Sequence, residues 1–405
     1  MNELIYKTQI RLECFTFTAK VSNHLEMQSA HNIPFHRAYQ STRAANYLNE
    51  VLKLNNSASD GDFHQKCKGW FKQNQQISNV FLCGSCTDAL EFSGLLARLK
   101  SGDEIILPSY TFASTANAFL LRGCSIRFAD TSSLRPNVEL EQILPHVTAQ
   151  TKAIVLIHYA GIAIDMDPIL AFANAHNILV IEDAAQCIGA RYKDKFLGSI
   201  APLGCLSFHP SKIIHCGEGG ALLVNQASYL NQAELIFEKG TNRKAFQHHE
   251  TSFYEWQTIG SSYGMSEFQA AVLFSQLEEL PMVINHQMQL WNLYQQNLNE
   301  LHVKGMLRLP NVPDYAHING SEFYIVLNNE SQRSQLQQML ASQNIQTTTH
   351  YRALHRSSFY KNKLNQNLIN TDSFEACLLR LPLHFYLTES DVLIVCDRID
   401  QFFKK

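Results

Sequence analysis

The sequence predicts an α/β fold in which helices flank a mainly parallel sheet, followed by a smaller α+β domain. Two observations support this prediction. Between about residues 78 and 224, short apolar runs alternate with segments of helical character, a pattern typical of parallel strands joined by helices. After Gly260 the chain changes to a long helical stretch, and beyond it come a further apolar run and two helical segments, as in a small α+β domain.

Seven short apolar runs are predicted to be the strands of the sheet. Their apolar character is nearly continuous, as expected of strands that helices cover on both faces. In such a sheet, ligands bind at the carboxyl ends of the strands. The runs are Val80–Leu82, Glu104–Leu107, Ser125–Phe128, Ala153–Ile157, Ile178–Ile181, Cys205–Phe208 and Ala221–Val224.

Helical segments lie between several of these runs and are predicted to cover the sheet. They are Thr87–Leu99, Thr115–Leu121, Glu139–His146 and Met166–Ala175.

The chain after Gly260 is predicted to lead into a second domain. The long helical stretch is interrupted only by Pro281, and a strand (Glu322–Leu327), a helix near Ser331–Gln343 and a final helix follow. At the other end, the first 26 residues lack the apolar core and cleavage site of a secretory signal, and we expect the working protein to begin near Met27. The predicted parts are an N-terminal extension (1–32), a large domain (33–280), and a linking helix with a small C-terminal domain (281–405).

Composition excludes several classes of protein. The 405 residues are 45% hydrophobic and 17% charged, as in globular proteins, and the net charge is only -3. No basic run of the kind that binds nucleic acid is present, so neither nucleic acid nor an anionic membrane surface is an expected partner. No 18-residue apolar stretch predicts a transmembrane helix.

The ten cysteines are mostly isolated within apolar segments, which is typical of buried thiols in a reducing compartment. We therefore expect a cytoplasmic protein. Cys83 and Cys86 form a C-x-x-C pair, whose spacing is also that of a redox motif or of half a zinc site. The second ligand pair that zinc requires is not found, and no metal is predicted.

Polar residues of three kinds follow the predicted strands. Asp183 comes directly after a buried run, where a carboxylate is paired or functional, with a helix N-cap as the alternative. The Ser and Thr of "CGSCTDAL" begin a helix whose free amides could bind phosphate. Ser207 ends another run, and Lys212 lies between that run and a glycine-rich turn. A solvated loop lysine is the alternative for Lys212.

Together, a phosphate site, a strand-end aspartate and a lysine are the parts that pyridoxal phosphate (PLP) requires. The lysine holds the cofactor aldehyde as a Schiff base. The aspartate keeps the pyridine nitrogen protonated through a charge-assisted hydrogen bond, so that the ring can accept electrons.

Long stretches of the chain resemble the sugar aminotransferases of the DegT/DnrJ/EryC1/StrS family. The resemblance runs from about Ile33 to the C-terminus and implies an aspartate-aminotransferase-like (fold type I) enzyme that uses PLP. Within the family, "EKGTNR", "GSSYGMS" and "RLPLHFYL" look most like dTDP-4-amino-4,6-dideoxygalactose transaminases, which serve enterobacterial common antigen and related surface polysaccharides. The stretches that carry the family resemblance are "IPFHRAY", "SCTDALEFSGLLARLKSGDEIILPSYTFASTANAFLLRG", "HYAGIAIDMDPI", "IEDAAQCIGARYKDKFLGS", "SFHPSKIIHCGEGGALLVN" and "GSSYGMSEFQAA".

The resemblance assigns roles residue by residue. Lys212 matches the Schiff-base lysine, Asp183 the partner of the pyridine nitrogen, and Gln186 the residue beside the ring hydroxyl. Ser262 stands where many relatives present an asparagine to the phosphate of the neighbouring subunit, so a homodimer with its active site at the interface is implied. The remaining implied cofactor contacts are Ser207, Thr87 and the amides of Cys86 and Thr87 at the phosphate, and Phe112 stacked on the ring.

The reaction implied by this resemblance is transfer of the amino group of L-glutamate to carbon 4 of dTDP-4-keto-6-deoxyglucose, giving dTDP-4-amino-4,6-dideoxygalactose. The alternatives are reaction at C3, a UDP-linked sugar, a pyridoxamine-dependent dehydratase, and a non-catalytic binding or regulatory protein. Lys212 argues against the dehydratase, because related dehydratases have histidine there. The candidate substrate contacts are Thr241, Asn242, Arg243, His350, Tyr351 and His355.

Overall fold

A seven-stranded sheet forms the centre of the molecule, as the sequence predicts. The computed structural model describes residues 32–54, 57–360 and 367–404. The strands are β1 (Val80–Cys83), β2 (Glu104–Pro108), β3 (Ser125–Ala129), β4 (Thr151–Ile157), β5 (Leu179–Asp183), β6 (Arg191–Tyr192), β7 (Lys195–Phe196), β8 (Leu203–Ser207), β9 (Gly220–Val224), β10 (Leu307–Arg308), β11 (Ala316–His317), β12 (Phe323–Leu327) and β13 (Leu378–Leu381).

In the central sheet the strands lie in the order β1, β9, β8, β5, β4, β2 and β3. Strand β9 is antiparallel to both of its neighbours, and the other pairs are parallel. All seven predicted strands are present, and the predicted α/β class with a mainly parallel sheet is confirmed. Two smaller sheets have the orders β10, β12, β13 and β11, β6, β7.

Thirteen α-helices occur within the described residues. They are α1 (Ala44–Val51), α2 (Asp62–Gln75), α3 (Cys86–Leu96), α4 (Ala113–Leu120), α5 (Leu140–Ile143), α6 (Met166–Ala175), α7 (Leu230–Phe237), α8 (Arg243–Gln247), α9 (Glu267–Leu277), α10 (Leu280–Val303), α11 (Glu330–Ser342), α12 (Ile369–Cys377) and α13 (Glu389–Phe403).

Proline positions explain two differences from the predicted helices. The segment Glu139–His146 is a short α-helix followed by a 3₁₀ turn that contains Pro145, because proline cannot donate the hydrogen bond that would continue the helix. Pro281 does not interrupt the long helical stretch. It is the second residue of α10, where the helix needs no backbone N–H donor. The stretch is instead interrupted between the end of α9 and the start of α10, just before Pro281.

Alternating side chains of the sheet enter two separate apolar cores. Ile106 packs into the core on one face, whereas its neighbours Ile105 and Leu107 pack into the core on the other. A third core surrounds β12, β13 and the second half of α10. The division of the chain at residue 280 stays a prediction. The predicted N-terminal extension lies outside the described residues, apart from Asn32.

A buried carboxylate joins helices α2 and α9. Glu267, the first residue of α9, is fully buried and accepts hydrogen bonds from the amides of Phe63 at 2.8 Å, Gly61 at 3.1 Å and His64 at 3.2 Å. The His64 ring also contacts it. The N-cap of α2 is Gly61, which has no side chain to satisfy these amides, so a distant glutamate caps the helix instead.

We expect Glu267→Gln to reduce the free energy of unfolding by about 3–5 kcal/mol at neutral pH, because it breaks a buried, hydrogen-bonded pair. Burial alone would raise the pKa of Glu267, but the hydrogen bonds from His64 and the amides hold it below its usual value of 4.5. Its contribution is therefore present above pH 4.5 and lost as pH falls through the lower folded pKa.

Urea unfolding at several pH values measures both effects. The matched control is Glu300→Gln, whose exposed carboxylate pairs with Lys304, and its effect should be much smaller because water screens an exposed ion pair. Equal losses in the two variants would contradict the capping role of Glu267.

No helix in the described part of the chain is long and apolar enough to cross a membrane.

Candidate active site

A cavity of about 260 Å³ opens at the carboxyl ends of the central strands. Side chains that follow β4, β5 and β8 line it, together with the first turns of helices α3 and α4. Three segments after residue 320 close another side of it, at Glu322, at His350 and Tyr351, and at Arg380. Nine of the residues predicted for the site line this cavity: Cys86, Thr87, Phe112, Asp183, Gln186, Ser207, Lys212, His350 and Tyr351.

Asp183 is the last residue of β5, and its carboxylate is only 6% exposed. Thr115 Oγ1 donates a hydrogen bond to its Oδ2 at 2.7 Å, and the amide of Ala185 donates to Oδ1 at 3.2 Å. Burial raises the pKa of Asp183, and these hydrogen bonds and the charge of Lys212 oppose the shift. The carboxylate would therefore gain from a cationic partner in the cavity.

The neighbouring Glu182 points to the opposite face of β5 and is structural. It is fully buried and accepts the amides of Gly198, Ile200 and Ala201 at 2.6 to 2.8 Å. His158 Nε2 also donates to it at 3.1 Å, because the Nδ1 atom of that ring accepts the amide of Ile164.

Two helix N-termini face the cavity. Ser85 caps α3 by accepting the amide of Asp88 at 3.0 Å, and in the described structure the amides of Cys86 and Thr87 have no hydrogen-bond partner. Thr87 donates its hydroxyl to Ser114, in the first turn of α4, at 2.8 Å. Free amides and hydroxyls at helix N-termini are suited to a phosphate.

Lys212 lies between β8 and β9, where its side chain lines the cavity. Among the described residues, its ammonium group has neither a hydrogen bond nor an ion pair. Its positive charge is near enough to Asp183, Glu322 and His350 to act on the pKa of each in the downward direction. An unpaired lysine beside a buried carboxylate is available to bind a ligand in the cavity.

These groups fit PLP. Asp183 would supply the buried anion for its ring nitrogen, the α3 and α4 N-termini would supply donors for its phosphate, and Lys212 would supply the amine. When bound, PLP supplies an electron sink for reactions at an amine-bearing carbon.

The comparisons with known proteins agree with this arrangement. Residues 39–400 match the DegT/DnrJ/EryC1/StrS aminotransferase family. The chain belongs to this family. Its members are PLP-dependent sugar aminotransferases, and the chain is therefore a PLP-dependent aminotransferase, as the sequence predicts.

Individual relatives are distant in sequence. The chain is 26% identical to the GDP-perosamine synthase of Escherichia coli O157:H7 over 371 residues, which is 92% of this chain and 98% of the relative. An uncharacterized protein of Methanocaldococcus jannaschii is 28% identical over 324 residues, 78% of this chain and 83% of that protein. The aminotransferase TlmJ of Streptoalloteichus hindustanus shares the fold with a TM-score of 0.85, at 22% identity, with 92% of this chain and 99% of TlmJ covered.

The other predicted site residues of this aminotransferase lie outside the cavity. Ser262 is exposed, and Arg243 pairs with Glu238 at 3.4 Å. Thr241 and Asn242 are buried and hold their own loop together. These functional roles stay predictions.

His355, the fifth of these residues, links two parts of the chain. Its ring contacts Ser109 Oγ at 2.8 Å and Asp372 at 3.2 Å, so it holds the segment after residue 350 against the end of β2.

The C-x-x-C pair has a structural character. Burial raises the pKa of both thiols, Cys83 and Cys86, which makes them unreactive. Across residues 32–54, 57–360 and 367–404 no group of three or more His, Cys, Asp or Glu side chains is arranged to hold a metal ion.

Sequence reasoning missed three charged residues of the cavity, Glu218, Glu322 and Arg380. Glu322 was visible as an acid at the start of an apolar run, the same kind of signal that identified Asp183 at the end of one. Arg380 lies within the quoted stretch "RLPLHFYL" but had no separate signal.

Strand β9 approaches the predicted phosphate site closely at Gly220. A β-carbon on this residue would overlap the amide nitrogen of Cys86 and the backbone of Ser85. We expect Gly220→Ala to displace the start of α3, to weaken PLP binding by the apoprotein, and to lower the free energy of unfolding by about 1–3 kcal/mol.

Titration of the apoprotein with PLP and thermal unfolding measure these two effects. Gly69→Ala is the matched control, because a β-carbon at this position of α2 meets no atom within 4 Å. It should stabilise the helix by about 0.5–1 kcal/mol and leave PLP affinity unchanged. Unchanged PLP affinity in Gly220→Ala would show that the α3 N-terminus does not bind the phosphate.

Proposed function

We propose that this aminotransferase transfers the amino group of L-glutamate to C4 of dTDP-4-keto-6-deoxyglucose, giving dTDP-4-amino-4,6-dideoxygalactose for a surface polysaccharide. The observation that carries the proposal is the single cavity that contains Lys212, Asp183 and the α3 and α4 N-termini. The motifs "EKGTNR", "GSSYGMS" and "RLPLHFYL" support the choice of sugar.

Lys212 and Asp183 have distinct tasks in this reaction. Lys212 first holds the cofactor, and its amine, once released, moves the proton between the substrate carbon and the cofactor as base and then as acid. Asp183 stabilises the positive charge on the protonated ring nitrogen of the cofactor. A buried carboxylate stabilises such a charge strongly when few other cations lie near it. Thr115 and Ala185 fix its orientation.

A second cavity supports a nucleotide-linked substrate. It measures about 250 Å³, and Tyr351 lines both this cavity and the cofactor cavity. Three arginines line the second cavity, Arg333, Arg352 and Arg356, against two glutamates. Guanidinium groups bind phosphate oxygens in a bidentate manner, so this cavity suits the diphosphate of a substrate whose sugar reaches Lys212.

We expect Arg352→Ala to raise KM for the nucleotide sugar by about 10-fold while kcat changes little, because a hydrogen bond to a charged group contributes about 1.5–3 kcal/mol. Arg352 is exposed and, within the described structure, has no ion pair of its own, so its loss should not affect folding. Steady-state kinetics measures the split, with KM for L-glutamate as the internal control. An unchanged KM for the sugar would place the diphosphate elsewhere.

The nucleotide and the sugar can be tested in one experiment. L-Glutamate is added to the holoenzyme until the cofactor's visible absorption band is lost, and keto sugars are then added one at a time. The set contains dTDP-4-keto-6-deoxyglucose, GDP- and UDP-linked 4-keto-6-deoxy sugars, and a 3-keto isomer. Return of the band with the dTDP sugar alone, and an axial C4 amine in the product by NMR, supports the proposal.

A GDP-linked sugar is the second candidate, because the relative from E. coli is a GDP-perosamine synthase. Return of the band with the GDP sugar alone would establish this candidate and overturn the dTDP proposal. A band that no keto sugar restores would overturn the substrate class.

We also propose a homodimer with a shared active site. Aromatic and apolar side chains are exposed on the segment between α8 and α9, next to the predicted partner-facing Ser262. Exposed apolar clusters mark interaction surfaces. Light scattering that gives the mass of a single chain would contradict the dimer. The exposed side chains are Phe253, Tyr254, Trp256 and Ile259.

The cytoplasm is the proposed compartment. The nine cysteines of the described residues all carry free thiols, as in proteins of reducing compartments.

A further inference from the structure

The small domain contributes a buried carboxylate to the wall of the cofactor cavity. Glu322 directly precedes β12 and is 7% exposed. Its Oε1 atom accepts a hydrogen bond from Gln186 Nε2 at 2.5 Å and forms an ion pair with Arg380 Nη2 at 2.6 Å. Its Oε2 atom is buried and has no hydrogen-bond partner among the described residues.

Arg380 is held in place by this carboxylate and by a histidine. It lies on β13 opposite Tyr324 of β12, and its Nη1 atom donates to His350 Nδ1 at 3.0 Å. Burial, Arg380 and Lys212 lower the pKa of His350 to about 2, so this ring is neutral and adds no second positive charge beside Arg380. Glu322 is therefore the carboxylate that pairs with Arg380.

Glu322 also determines what Gln186 can offer to a ligand. The Gln186 Oε1 atom accepts the amide of Ala160 at 2.7 Å, which leaves the Nε2 atom facing Glu322. Because an amide nitrogen carries two hydrogens, one remains for a ligand in the cavity.

Lys212 faces charges of both signs across the cavity. Burial raises the pKa of Glu322, and the positive charges of Arg380 and, to a smaller extent, Lys212 oppose this shift. Both cations are therefore close enough to interact electrostatically with the Glu322 carboxylate. Without Glu322, the charge of Arg380 would act on the amine of Lys212 uncompensated. The titratable and charged groups that line the cavity with Lys212 are Cys86, His158, Asp183, His209, Glu218, Glu322, His350, Tyr351 and Arg380.

We propose that Glu322 is a positioning residue of the cofactor site, which neutralises Arg380 beside Lys212 and orients the amide of Gln186. The proposal rests on the cofactor being held at Lys212 and does not depend on which sugar is the substrate.

The charge effect is tested with three variants of the holoenzyme, Glu322→Gln, Arg380→Gln and the double variant. The pH dependence of the cofactor's visible band reports protonation of the Lys212 nitrogen. In Glu322→Gln the remaining arginine disfavours the proton, so the midpoint should fall by about one pH unit. In Arg380→Gln the remaining carboxylate favours the proton, and the midpoint should rise. In the double variant both charges are gone, and the midpoint should return towards that of the wild type.

Midpoints that move in the same direction in both single variants, or furthest in the double variant, would overturn the charge effect in favour of a purely structural role. Glu300→Gln, an exposed carboxylate, is the control for a general change in charge. If Glu322→Gln does not fold, Arg380→Lys replaces it in the comparison. Arg380→Lys should keep the wild-type midpoint while Arg380→Gln raises it, and equal midpoints in these two variants would overturn the effect.

The orientation of Gln186 has a separate readout, the affinity of the apoprotein for PLP. Glu322→Gln should weaken this affinity by about 10-fold through the loss of a charged hydrogen-bond partner. In a Gln186→Ala background the same substitution should have a smaller effect, because the amide it orients is absent. Additive effects of the two substitutions would overturn this part of the proposal.

Discussion

Replacement of Lys212 by alanine is expected to lower turnover by at least about 10²–10⁴-fold, the usual contribution of a general acid and base. The methyl group can neither hold the cofactor nor carry the proton. The helix N-termini and Asp183 remain, so the variant should still bind PLP. Its absorption band should no longer show the pH dependence of the wild type. Steady-state rates and spectra of the PLP-loaded proteins measure both results.

Lys193→Ala is the matched control for this experiment. Lys193 lies on the surface, 55% exposed, and pairs with Asp167 at 2.6 Å. Its loss should leave turnover and spectrum unchanged. Wild-type turnover in Lys212→Ala would show that another residue performs the proton transfer.

The second large effect is expected from Asp183→Asn. The substitution preserves the size of the side chain but removes the buried negative charge that would keep the ring nitrogen of the cofactor protonated. We expect kcat to fall by about 10²–10³-fold, similar to the loss of one preorganised electrostatic contact in other enzymes. The same variant should bind PLP more weakly, because the charge-assisted hydrogen bond is replaced by a neutral one.

Asp167→Asn serves as the control, since this carboxylate is 61% exposed and pairs with Lys193 on the surface. Rapid-reaction kinetics with L-glutamate separates the chemical step from cofactor binding. If Asp183→Asn binds PLP weakly yet reacts at the wild-type rate when saturated, the carboxylate contributes to binding and not to the chemistry.

The sequence could predict the side of the site that comes from the large domain. Asp183 and Ser207 lie at the end of apolar runs, and Thr87 lies at a helix start. Parallel strands bring their carboxyl ends together whatever their order in the sheet. Asp183 was found by this rule, and Lys212 by its place between such a run and a glycine-rich turn. Both residues line one cavity, because the strands that precede them end at the same edge of the sheet.

The side that comes from β12 and β13 could not be predicted in the same way. Glu322 and Arg380 lie on neighbouring antiparallel strands, and nothing local shows which ends of those strands face the cofactor cavity. The orientation of those strands depends on the path of α10, whose side chains pack into both the first and the third apolar core. Only the complete fold brings Glu322 to Gln186.

The antiparallel strand β9 also affects when the enzyme becomes competent during its synthesis. Val80 of β1 pairs with Leu223 of β9. The first strand of the sheet therefore cannot form this pairing until β9, which is synthesised much later, has left the ribosome. Pairing over such a separation closes a long loop and slows folding. A nascent chain that ends before β9 has the α3 phosphate amides but no partner strand to hold them. We therefore expect the cofactor to bind late, and bound PLP to stabilise only chains that have completed the sheet.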